Sequence, residues 1–77
     1  MDYDEEKVDA MVLALMYLTI HDQVRAWKGF DFQALDRLHA KGLIADPRTK
    51  AKSIVLTEEG LSRAEALFEK HFGKPSS

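Results

Sequence analysis

Three histidines, four serines and two pairs of adjacent glutamates have the strongest claim to chemistry in this chain, yet none stands at a spacing that supports it. A metal-binding helix needs imidazoles one turn apart, as in His-x-x-x-His, so that two nitrogens meet one ion. His21, His39 and His71 are far too widely spaced for that. Each falls instead near the predicted end of a helix, where a partly positive ring meets the negative end of the helix dipole. Ser53, Ser62, Ser76 and Ser77 lie in no nucleophile elbow, and the four glycines are scattered singly, so no loop is built to cradle a phosphate. Glu5-Glu6 and Glu58-Glu59 are accounted for as first-turn residues of helices. With no cysteine there is neither a thiolate nor a disulfide. The residues predict a protein that is not an enzyme and that carries no metal and no cofactor.

Binding chemistry is better represented. The run Arg25-Ala26-Trp27-Lys28-Gly29-Phe30 interleaves cations with aromatics, a composition that can clamp phosphate and stack bases. The favoured alternative folds Trp27 onto the core as an anchor, with Gly29 in a turn and Phe30 packing against the next helix. Further on, Arg48, Lys50 and Lys52 alternate, so an extended strand projects all three to one side. Three cations on a protruding hairpin suit a phosphate backbone. They equally suit the protection of an exposed sheet edge from unwanted pairing.

The formal net charge of −2 and pI of about 5.9 give no global attraction to nucleic acid. The distribution is uneven, however. Asp2, Asp4, Glu5, Glu6, Asp9 and Asp22 face only Lys7 in the first 24 residues. Arg25, Lys28, Arg37, Lys41, Arg48, Lys50 and Lys52 outnumber Asp31, Asp36 and Asp46 in residues 25–52. A basic middle beside an acidic start bears on the choice of partner.

At 77 residues the chain makes a single domain, 1–77, with its core over about 4–73 and a frayed tail at 74–77. A first helix is expected from Asp4 to His21, capped by Asp4. After a link at 22–31, Asp31 caps a second helix that runs to Lys41 and ends on Gly42. Leu43-Ile44-Ala45 and Lys52–Leu56 form a hairpin through the turn at Asp46-Pro47. Thr57 then caps a third helix, Glu58–Phe72, which Gly73 and Pro75 close. At each of the three caps an apolar residue precedes the cap and another stands four positions after the cap. The pairs are Tyr3 with Val8, Phe30 with Leu35, and Leu56 with Leu61, the pattern of a hydrophobic staple. The predicted order is α-α-β-β-α, an α+β fold with a two-stranded hairpin.

The first helix is apolar nearly all round, and a chain this short has little with which to cover both faces. That predicts a homodimer, with Met11, Leu13, Leu15, Met16, Tyr17 and Ile20 as its interface.

The residues from Leu35 to Gly60 also carry a resemblance. Leu35-Asp-Arg-Leu38-His-Ala-Lys41-Gly42-Leu43-Ile44, a basic hairpin, and Val55-Leu56-Thr57-Glu58-Glu59-Gly60 resemble the second half of a winged-helix domain. They resemble the MarR and PadR groups of bacterial transcription regulators. In those groups the first stretch ends a recognition helix, the hairpin is the wing, and the last stretch opens a dimerisation helix. The resemblance implies a small winged-helix-like domain and, through it, a DNA-binding, transcription-regulator-like function. It places Gln33, Arg37 and Lys41 towards bases, beside Asp36, with Arg48, Lys50 and Lys52 on phosphates. A full winged helix sets a separate helix before the recognition helix, and only the link at 22–31 is present here, with room for at most one turn around Gln23 to Trp27. The whole chain is also similar to a compact bacterial family of about this length without an assigned function. That likeness rests on the acidic start, Ala26-Trp27-Lys28-Gly29, Lys41-Gly42-Leu43-Ile44 and Lys50-Ala51-Lys52-Ser53.

Two partner classes follow. One is double-stranded DNA, bound by a dimer. The other is a protein, bound by a dimeric interaction or scaffold module without DNA affinity. The acidic start lacks the positive charge of a secretory signal and Ala10–Ile20 is too short for a bilayer, so a cytoplasmic protein with no membrane contact is expected.

Overall fold

The computed structural model describes residues 1–75, so the expectation for the tail falls partly outside them, at Ser76 and Ser77. The elements run α1 (Glu5–Leu18), β1 (Arg25–Trp27), α2 (Phe32–Ala40), β2 (Ser53–Val55) and α3 (Glu58–Phe72). All three helix starts carry the expected side-chain cap. The Asp4 carboxylate accepts from the Lys7 amide at 3.1 Å, Asp31 from Ala34 at 3.2 Å, and the Thr57 hydroxyl from Gly60 at 3.0 Å. Each satisfies a backbone donor that the first turn leaves without an intrahelical partner.

The end of α2 is a complete Schellman motif. Gly42 takes a φ of +75°, its amide donates to His39 at 2.9 Å, and the Leu43 amide donates to Leu38 at 3.1 Å. Leu38 and Leu43 are both buried, supplying the apolar contact that accompanies this turn.

The predicted order needs correction. It is α-β-α-β-α, because the link contains a strand rather than a helical turn. α1 stops at Leu18, short of His21, where the amide and hydroxyl of Thr19 both donate to the Met16 carbonyl at 3.0 Å. Asp22 and Gln23 then adopt positive φ values of 48° and 70°, and His21 and Arg25 exchange backbone hydrogen bonds of 2.8 and 3.0 Å across the reversal. This tight turn delivers β1 antiparallel to β2, with Arg25 opposite Val55, Ala26 opposite Ile54 and Trp27 opposite Ser53.

The expected hairpin survives only at its base. Ile44 bridges Leu56, the Ala45 amide donates to Val55 at 2.8 Å, and the Thr57 amide donates to Leu43 at 3.0 Å. Residues 46–52 are an irregular loop with bends, so Arg48, Lys50 and Lys52 do not alternate on a strand.

The core gathers one or more residues from every element: Leu13 and Met16 of α1, Ala26 of β1, Leu35 and Leu38 of α2, Ile54 of β2 and Ala64 of α3, with Leu43, Ile44 and Leu56 from the connections. α3 lies along α1, and Tyr17 meets Phe68 with ring centroids 5.4 Å apart. Gly60 permits a close backbone approach: a β-carbon there would stand 1.8 Å from the Leu43 carbonyl oxygen.

Candidate interaction surfaces

The expected base-reading face of α2 is largely occupied by the chain's own acids. Arg37 donates through Nε and a terminal nitrogen to the two carboxylate oxygens of Asp9 on α1, both at 2.8 Å, and reaches Glu5 at 3.1 Å. Asp9 is buried, and its hydrogen bond to Arg37 raises the guanidinium above the ordinary arginine range, helped by the negative charges of Asp9 and Glu5 and opposed by burial. Lys41, predicted to point outward, sits 3.8 Å from the same carboxylate. These two cations hold α2 to α1. The sequence contained the signal, an acid at position 9 on the buried side of an apolar helix, but not the identity of its partner. Of the three α2 residues predicted to face bases, Gln33 alone is exposed and free of an acid in the described residues.

The loop after α2 is similarly committed in part. Arg48 donates to Asp36 of α2 at 2.8 Å and to Asp46 at 3.3 Å, and its guanidinium carbon lies 5.9 Å from the Phe32 ring centroid. The Arg48 amide also donates to the Asp46 carboxylate at 2.9 Å, which is the main reason Asp46 titrates below its usual range. Lys28 Nζ pins the loop from the other side, donating to the carbonyls of Pro47 at 3.1 Å and Thr49 at 2.8 Å. Lys50 and Lys52 are exposed and have no acidic partner among the described residues.

Trp27 corrects another expectation. Strand alternation turns Ala26 into the core and Trp27 outward, where it is 58% exposed. The indole lies over Gly29, whose missing side chain leaves room for it, and meets Phe30 edge-on at 6.1 Å. Ala26, not Trp27, is the anchor.

The predicted dimer face divides in two. Leu13 and Met16 are only 1% and 0% exposed inside their own core, so they are unavailable to a partner. Tyr17 packs on Phe68 and Ile20 on the core. Met11 and Leu15 lie on the opposite side of α1, along a shallow apolar depression of about 420 Å³ lined by Tyr3, Asp4, Lys7, Val8, Met11, Val12 and Leu15. Leu18, absent from the predicted set, continues this face at 68% exposure.

No group of three or more potential metal ligands occurs among the described residues, and no helix there is long and apolar enough to cross a membrane.

Comparison with known proteins adds a family. A family model described as a domain of unknown function, DUF6429, matches residues 4–74. An uncharacterised protein, y4hR of Sinorhizobium fredii (strain NBRC 101917 / NGR234), is 57% identical over 72 residues, spanning 94% of this chain and 97% of the relative. No solved structure matches.

Proposed function

The chain belongs to the DUF6429 family, and we propose that it works as a protein-contact module on a winged-helix-like framework, with the outer face of α1 as its contact surface. The carrying observation is a contrast between two surfaces. The arginines a DNA reader would use, Arg37 and Arg48, are each hydrogen-bonded to two of the chain's own carboxylates. Meanwhile large apolar side chains, Met11, Leu15 and Leu18 among them, line the outside of a helix whose inside is already packed. Releasing Arg37 for phosphate would take from the buried Asp9 carboxylate its two 2.8 Å hydrogen bonds, which is costly. The exposed apolar stripe gains from being covered.

A winged-helix-like framework is supported by the segment at 43–45, which pairs with 55–57, and by β1 lying on the other edge of β2. The helix that would precede a recognition helix has β1 and its following loop in its place.

DNA binding is the second reading. Lys50 and Lys52 favour it, exposed on the loop where a wing would project. Fluorescence polarisation against a labelled random duplex at about 50 mM and about 200 mM salt separates the two. A protein-contact module binds no tighter than millimolar at either salt. Micromolar binding that weakens with salt and disappears in Lys50→Ala/Lys52→Ala would overturn it.

A further inference from the structure

We infer that the occupant of the outer α1 face is the same face of a second copy, lying antiparallel. This rests on the reading of that face as a contact surface and names its partner. Val8, Met11, Leu15 and Leu18 succeed one another by three, four and three residues. That is the a-d-a-d spacing of a two-stranded coiled-coil seam, whose complement is another helix with the same repeat. It shares no residue with the buried set of α1, which is Asp9, Leu13, Ala14 and Met16. The stripe is therefore not core surplus spread round the helix. It is a second, separately spaced face.

Charge sets the direction. Asp2, Asp4, Glu5 and Glu6 crowd the N-terminal end of α1, and the last turn holds no cation to balance them within the helix. Past Asp22, the basic part of the chain begins at the other end. The Trp27 amide donates to the Thr19 hydroxyl at 2.9 Å, which ties β1, with Arg25 at its start and Lys28 just beyond, to the C-terminal end of α1. A parallel pair would bring both acidic ends together and align the helix dipoles. An antiparallel pair sets the acidic start of each copy against the Arg25–Lys28 end of the other and opposes the dipoles. The seam is self-complementary in that arrangement, as a two-fold interface requires. Val8 meets Leu18 of the second copy, and Met11 meets its Leu15.

The test uses the full chain. Sedimentation equilibrium at micromolar concentration should give twice the 8.8 kDa monomer mass. Leu15→Asp and Leu18→Asp should each return it to the monomer with the helical circular-dichroism spectrum kept, since both side chains already face outward. Because the chain has no cysteine, introduced thiols read the direction. Val8 and Leu18 lie ten residues apart, about 15 Å along a helix, beyond the reach of a disulfide. A mixture of Val8→Cys and Leu18→Cys should therefore oxidise to a mixed dimer, while Val8→Cys alone should not cross-link. A monomer mass in the unsubstituted chain, or a dimer indifferent to both aspartates, overturns the pairing; a Val8→Cys homodimer overturns its direction. The duplex titration reports on the contact-module reading separately, whatever mass is found.

Discussion

The Arg37 guanidinium on α2 closes on the Asp9 carboxylate on α1 through two parallel hydrogen bonds of 2.8 Å. This fork-to-fork pairing orients the two helices as well as attracting them. It also commits to the chain's own acids a residue that the winged-helix resemblance places towards bases.

A buried carboxylate left without its partner is worse than no carboxylate at all. Arg37→Leu should therefore lower the urea midpoint more than the double substitution Asp9→Leu/Arg37→Leu, which removes both charges. Equal midpoints would show that the pair contributes nothing specific.

Gly60 inverts the usual helix rule. Alanine in a helix is favoured over glycine by about 1 kcal/mol. Here its β-carbon would meet the Leu43 carbonyl at 1.8 Å, so the backbone of the first turn of α3 would have to withdraw from Leu43. Gly60→Ala should lower the thermal midpoint, with a cost of about 1–3 kcal/mol or more from overpacking. A rise in the midpoint would contradict the close approach.

The inner and outer faces of α1 should respond to truncation by very different amounts. Leu13→Ala opens a cavity in the core and should cost about 2–5 kcal/mol, a large part of the stability of a domain this size. Leu18→Ala, at 68% exposure, should change monomer stability by no more than about 0.5 kcal/mol. Denaturant titration at concentrations low enough to hold both as monomers makes the comparison.

Trp27 is the single tryptophan, so its fluorescence reports on one place. Its exposure predicts emission close to that of free indole and ready quenching by acrylamide. Trp27→Ala should leave the urea midpoint nearly unchanged. Blue-shifted, quencher-resistant emission would return the indole to the core.

Local chemistry made part of this fold legible in the residues. Asp4, Asp31 and Thr57 cap their helices as expected, since a cap needs only a side-chain oxygen three positions before a bare amide. Gly42 ends α2 because a left-handed turn strongly favours glycine. β1 was not legible. Three residues are too few to show a period, and they become a strand only because residues 53–55 lie alongside. The same applies to the site residues. Arg37 is an exposed cation by helical spacing and an internal one only after Asp9 arrives from another element.

The sequence by itself determined where the helices begin, how the second one ends, and that the first has more apolar surface than one core can hold. The first two depend on residues within about five positions of one another, and the third on the helical repeat from Val8 to Ile20. Only the tertiary structure decided which side of α1 is core and which is free, that Trp27 points out while Ala26 points in, and that the arginines are engaged internally. Those outcomes depend on partners far along the chain, which meet only once the helices have packed.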